Sequence, residues 1–328
     1  MQRREFLTLL GGGAAAWPLA AHAQQQALPV IGYLDAGSAE QAVNLVAAFR
    51  KGLSEVGYVE GRNVAIEFRW ANNENAHLPE LAADLVRRQV AMIVTPQSTA
   101  SVAAAKAATT TIPIVFGTGA DPVQAGLVAS LNRPGGNVTG ISFMNVELAA
   151  KRLGLLHELL PGATRFAALV NPNNPLIADP FIADVQSAAS TIGGQVEVFT
   201  ATSNRDIDRS FASLVQGRAE GLLIAPDTLL FNSRVQLATL AARHAVPAVY
   251  PNREFAEVGG LMSYGTRLAD AYRQTGIYAG RILKGAKPGD LPVMRATKFE
   301  LVINLQTARA IGLTVSPDLL SIADEVIE

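Results

Sequence analysis

Short apolar runs rich in Val and Ile alternate along the chain with stretches whose apolar residues recur every three or four positions. Val30-Ile31-Gly32-Tyr33-Leu34 is an unbroken run and predicts a buried strand. Residues 41–56 then predict a helix, 64–68 a strand, 78–88 a helix, 91–95 a strand, 99–108 a helix, 113–116 a strand, 123–131 a helix and 138–142 a strand. Strands separated by helices of this length are βαβ units, which build a parallel, doubly wound sheet. A long helix over 146–160 opens a second series. Its strands fall at 166–171, 196–199, 221–225 and 248–250, with helices at 176–192, 205–215 and 229–244 between them. A strand at 261–263, a helix at 269–283, a short strand at 299–303 and two closing helices complete the pattern.

The fold class is therefore α/β, with two doubly wound parallel-sheet lobes joined by a hinge. The first lobe is expected at 24–142, with residues 265–297 returning to it. The second is expected at 143–264, with residues 298–328 returning. No Pro-rich or Ser-rich linker separates the halves, and their junction near 140–146 is short. Two lobes joined in this way face each other across a cleft and move about a hinge.

The first residues stand outside this pattern. Arg3 and Arg4 precede a mildly apolar stretch rich in Gly and Ala, and Ala21-His22-Ala23 is a small-x-small cleavage site. That is a secretory signal at residues 1–23, and its paired arginines resemble the twin-arginine type; an ordinary secretion signal is the other reading. Cleavage after Ala23 leaves residues 24–328, enough for two domains of about 100–200 residues each. The chain has no cysteine, so it has neither disulfides nor the residue that anchors a lipoprotein. No later stretch is apolar for the ~18 residues a membrane span needs. The expectation is a monomer free in the periplasm. With 27 basic and 28 acidic residues there is no electrostatic case for nucleic acid.

In open parallel sheets ligands sit beyond the carboxyl ends of the strands, so the residues after each strand are the ones to read. They are Asp35-Ala36-Gly37-Ser38, Thr95-Pro96-Gln97-Ser98-Thr99 and the loop 117–122 in the first half. In the second half they are Asn171-Pro172-Asn173-Asn174, Pro226-Asp227-Thr228 and Pro251-Asn252-Arg253-Glu254. Small polar side chains suit a ligand with polar ends. Ser98-Thr99 opens a helix, where free N–H groups hold a carboxylate; a plain N-cap is the competing reading. Asp121 and Asp227 have the same two readings, as caps or as partners for a ligand ammonium. Tyr33, Phe116, Phe143, Tyr250 and Tyr264 flank these loops, as core or as a stacking surface. The candidate ligand residues are Asp35, Ser38, Gln97, Ser98, Thr99, Asp121, Asn171, Asn173, Asp227 and Tyr264.

Catalytic patterns are missing: there is no nucleophile elbow, no Walker-type loop and no His-Glu-x-x-His. Three histidines beyond the signal and no cysteine argue against a transition-metal site, and no cofactor is expected. Five stretches carry a resemblance: 49–64 (FRKGLSEVGY followed by EGRNV at 60–64), 111–116 (TIPIVF), 121–128 (DPVQAGLV), 133–140 (RPGGNVTG) and 299–304 (FELVIN). The chain resembles the extracytoplasmic solute-binding proteins of ABC transporters, in the family often labelled tryptophan/tyrosine transport. The resemblance implies a type I periplasmic-binding fold with three crossings between lobes, and a small ligand enclosed by lobe closure. It implies as partners a membrane permease and its ATPase, and ligand contact at Ser98, Thr99 and Asp121. The function expected is capture of an amino acid or a related aromatic or carboxylate compound. A sensory receptor subunit of the same fold is the alternative, and an exported α/β enzyme a lesser one. Changing both Arg3 and Arg4 to Lys is expected to block export through the twin-arginine route; normal periplasmic yield of that double variant, with its N-terminus at Gln24, excludes the route.

Overall fold

The structure, a computed structural model, describes residues 28–328; the signal read at residues 1–23 lies outside them. The chain begins with β1 (Val30–Asp35), α1 (Val43–Glu55), β2 (Ala65–Trp70), α2 (Leu78–Arg87), β3 (Met92–Thr95), α3 (Thr99–Ala108), β4 (Ile114–Thr118) and β5 (Val138–Ser142). It continues through α4 (Ala149–Leu159), β6 (Arg165–Val170), α5 (Pro175–Thr191), β7 (Gln195–Thr200), α6 (Asn204–Gln216) and β8 (Gly221–Ile224). Next come α7 (Thr228–Asn232), α8 (Arg234–Arg243), β9 (Ala248–Tyr250), α9 (Arg253–Glu257) and β10 (Met262–Thr266). It closes with α10 (Leu268–Leu283), β11 (Met294–Arg295), β12 (Phe299–Asn304), α11 (Leu305–Ala310), α12 (Pro317–Ser321) and β13 (Glu325–Ile327).

These strands form two sheets, in the orders β11-β5-β4-β3-β1-β2 and β13-β12-β10-β9-β8-β6-β7. The inner strands β3, β4, β5, β8 and β9 are buried at every position, as apolar runs covered by helices on both faces must be. The fold is α/β with two such lobes. Chain order explains one departure from the all-parallel expectation. β10 runs toward the first sheet and ends at the crossing into α10, and β12 starts where the chain comes back. The two therefore pair antiparallel, Met262 opposite Ile303.

Other expectations change for local reasons. The helix expected at 123–131 is a series of turns. The Asp121 carboxylate accepts from Val123 and Gln124 N–H, and Gly126 at φ 64° then turns the chain out of helical geometry. The helix expected at 229–244 breaks after Asn232 into α7 and α8. The helix expected from 146 starts only at Ala149, after Met144 at φ 57°. β11 and β13, of two and three residues, are too short to show a period and were not expected.

Three segments cross between the sheets, and they bond to one another. The Thr266 hydroxyl donates to Phe143 O, Thr266 N–H donates to Asn145 Oδ1, and Arg267 N–H donates to Lys298 O. Arg152 on α4 is fully buried and donates to Tyr264 O and Asn145 O.

α10 follows the last parallel strand of the second sheet but packs on the first, against α1. Glycines permit the approach: a Cβ on Gly52 would lie 1.9 Å from Arg273 O, and one on Gly276 2.2 Å from Phe49 O. Two helical glycines should therefore respond with opposite sign to alanine. At Gly52 the expected loss is about 1–3 kcal/mol or more from overpacking. At exposed Gly154, where a Cβ meets nothing within 4 Å, the expected gain is about 0.5–1 kcal/mol from helix propensity. Urea denaturation midpoints check both, and a tolerated Gly52→Ala contradicts the packing.

Candidate functional site

The loops after the strands of the two sheets face each other and enclose a cavity of about 530 Å³. Ser98 and Thr99 line it from the first lobe; Asn171, Asn173 and Asp227 line it from the second. Ser98 is the N-cap of α3: its extended backbone (φ −100°, ψ 125°) lets Oγ accept from Ser101 N–H at 3.3 Å. The Ser98 hydroxyl proton stays available for a ligand. Thr99 Oγ1 lies 3.0 Å from Thr118 Oγ1, which ties α3 to the end of β4. Asp227 caps α7 through Leu229 N–H at 2.9 Å and accepts from Asn171 Nδ2 at 3.1 Å and Asn174 Nδ2 at 2.9 Å. Its charge is thus taken up in fixing two amides, and the second wall presents amides and hydroxyls.

Asp35, Ser38 and Gln97 lie beside this cavity in a narrow gap between the lobes, together with Phe231 and Asn232. Gln97 Oε1 accepts from Tyr272 Oη at 2.7 Å. Asp35 is 5% exposed and its carboxylate accepts from Gly37 N–H at 2.7 Å; burial outweighs that bond and pushes the carboxyl from 3.8 up to about 6. Asp121 and Tyr264 line neither space. Asp121 caps the turn described above, and the Tyr264 ring packs on the core while its carbonyl accepts from Arg152. Of the five flanking aromatics, Tyr33, Phe116, Phe143 and Tyr250 are at most 2% exposed and belong to the core.

The cavity also contains residues the sequence reading passed over. Asn73 and Glu74 follow β2, and Thr202 follows β7. The rule that selects residues after strands applies equally to those two edge strands, so their loops carried the signal. Asn174 and Thr228 stood in loops already singled out. Asn232 was hidden inside an expected continuous helix. As the last residue of α7 it reaches across to the first lobe: its Nδ2 donates to Asn73 Oδ1, and Gln41 Nε2 donates to its carbonyl at 3.2 Å. A Cβ on Gly37 would stand 3.1 Å from Asn232 Nδ2, so the absence of a side chain there leaves room for this bridge.

Among the described residues neither a basic nor an aromatic one lines the cavity. A ligand carboxylate there must be held by hydroxyls, amides and the N–H groups at the start of α3. Among the described residues no cluster of three or more His, Asp or Glu could hold a metal ion.

A family model described as ABC transporter substrate binding protein matches residues 35–327. The chain is 29% identical over 269 residues to the tyrosine-binding protein of Clostridioides difficile (strain R20291), covering 81% of this chain and 75% of that protein. It is similar to the structure of an ABC domain in complex with L-Trp from Streptococcus pneumoniae, at TM-score 0.84 and 26% identity over 92% of this chain and all (100%) of that one. The ligand-free, open form of a substrate-binding protein with adhesive properties from Clostridium difficile matches at TM-score 0.66 and 25% identity, over 92% of this chain and 99% of that one. The two are about equally distant in sequence.

The Asp35 carboxyl generates a pH prediction. Its folded value is raised, so its stabilising contribution is complete below pH 3.8 and is lost as pH rises to about 6. Above that the charged form costs at most about 3 kcal/mol. Asp35→Asn keeps the acceptor for Gly37 N–H and removes the charge. It is expected to raise the melting temperature at pH 7–8 and to flatten the wild-type decline between pH 4 and 6. Parallel melting curves for the two proteins across that range contradict this.

Proposed function

We propose that the chain, which belongs to the ABC transporter substrate-binding protein family, captures an aromatic amino acid or a related carboxylate compound between its lobes. It then hands the solute to a membrane permease driven by an ATPase. The observation that carries the reading is the polar cavity built from loops of both sheets, beside which Asn232 bridges the lobes by its bond to Asn73. A solute there touches both lobes, so its binding energy favours the closed state, and that preference couples capture to docking on a transporter. The volume lies within the range of about 300–1,000 Å³ usual for small-molecule sites. The relatives that bind tyrosine and L-Trp support the ligand class.

In this reading the lobes are 24–142 with 265–297 and 143–264 with 298–328, and the three crossings between them are the hinge. The protein works as a monomer outside the cytoplasmic membrane, exported by the signal at residues 1–23, and does no chemistry on its ligand. Ser98 and Thr99 hold the ligand carboxylate, and Asn171, Asn173 and Asn174 its other polar groups.

The direct test is the mass spectrum of small molecules released from the denatured protein, followed by titration of the compound found. That compound is expected to shrink the radius of gyration. Ser98→Ala should weaken it by about 1.5–3 kcal/mol, tenfold or more, through loss of a hydrogen bond to a charged group. Asn232→Ala should speed its release with both lobes folded. A compound that binds tightly without compaction, and equally well to both variants, overturns the capture mechanism.

A further inference from the structure

The cleft holds a second cavity, on the other side of Phe231 and Asn232. It measures about 630 Å³ and lies between α1, with Gln41 and Asn44 before and in it, and the α7–α9 region of the second lobe. Its charged groups fall into two kinds. Arg253 is neutralised by Glu257 at 2.8 Å, Glu300 at 3.1 Å and Glu325 at 2.9 Å, and Arg267 by Glu300 at 3.0 Å. Arg234 and Glu254 are left over. Arg234 has no carboxylate within ion-pair distance among the described residues; it donates to Phe231 O at 3.2 Å and lies 5.0 Å over the Phe231 ring. Glu254 has no cation within that distance, and its Oε2 is buried without a hydrogen-bond partner.

We propose that this cavity is a second solute site that takes a zwitterionic α-amino acid, its carboxylate on Arg234 and its ammonium on Glu254. Half-buried charges without partners are costly, and one ligand carrying both opposite charges removes both costs together. A ligand with a single charge leaves one of them unmet. Burial, with Glu257 and Glu300 nearby, pushes the Glu254 carboxyl up to about 7 against the pull of Arg234, as suits a group still waiting for a cation. Leu45, Phe231 and Val258 supply apolar surface for the ligand's side chain, and Gln41 and Asn44 supply amides from the opposite lobe. The site rests on the reading that solutes enter between the lobes, but not on the polar cavity at Ser98.

The test is titration calorimetry of the full chain with the twenty amino acids, and then with L-tryptophan, tryptamine and indole-3-propionate. Glu254→Gln keeps size and removes charge; Arg234→Gln removes charge and shortens the side chain, leaving an amide; Ser98→Ala reports on the other cavity. At least one amino acid is expected to bind with tenfold or more loss of affinity in each charge variant and little change in Ser98→Ala. Tryptamine should respond to Glu254→Gln alone, and indole-3-propionate to Arg234→Gln alone. Wild-type affinity for every amino acid in both charge variants overturns the proposal, as does the absence of any amino-acid binding. The polar-cavity reading fails separately, when no bound solute loses affinity in Ser98→Ala, whatever the two charge variants do.

Discussion

The geometry of the cleft depends on a guanidinium buried where the chain passes between the sheets. Arg152 has no carboxylate partner among the described residues; Nη1 donates to the Tyr264 carbonyl and Nη2 to that of Asn145, while Nε is buried without a partner. Desolvation pulls its pKa down to about 9, with Tyr264 and Glu147 acting in the opposite direction. Its acceptors are main-chain atoms, so it fixes the path of the backbone. One bond goes to the segment leaving β5 and the other to the strand entering the second crossing. Thr266 and Asn145 repeat the link between the same two segments. The β5 and β10 sides of the sheets are held together by these bonds, and β2 and β7 lie at the opposite edges. The loops after those edge strands supply Asn73, Glu74 and Thr202 to the cavity.

A second economy runs through the cavity walls. Ser98 and Asp227 each end a strand-to-helix loop, and each uses an oxygen to cap the helix that follows. Capping fixes the side chain in one rotamer at the mouth of the sheet, so a residue chosen for local stability is also placed at the cleft. The two readings of such a residue, cap and ligand contact, are compatible because a hydroxyl accepts and donates at once. For Asp227 they are less so, since its oxygens are occupied by two asparagines and a backbone N–H. It positions the amides beside it.

Much of this was legible in the sequence. Alternating strands and helices set the α/β class and two lobes, because buried parallel strands read as plain apolar runs whatever their neighbours. The loops after β1, β3, β6 and β8 are in the cleft for the same reason. What escaped the sequence depends on distant partners. β11 is a strand only because β5 offers it a free edge, and nothing within two residues can show that. β12 has an apolar pattern indifferent to direction; its antiparallel pairing follows from the route of the chain through α10. The break after Asn232 is marked only by the Asn232-Ser233 pair, which an apolar spacing that continues through it outweighs. Asp121 was read as a cap or a ligand partner; its carboxylate holds Val123 and Gln124 N–H, and it lines neither space.

The interleaving of the two sheets has a consequence for how the protein is made. The first sheet is completed by β11, at residues 294–295, and the second by β12 and β13 near the end of the described chain. Neither sheet is drawn from an uninterrupted stretch of sequence, so each waits for strands made after part of the other lobe. Until then β5 and β10 keep exposed edges, and α1 lacks the glycine-lined partner it packs against. Such long-range closure is slow and leaves surfaces that attract other chains. A protein built in this way matures as one unit or not at all.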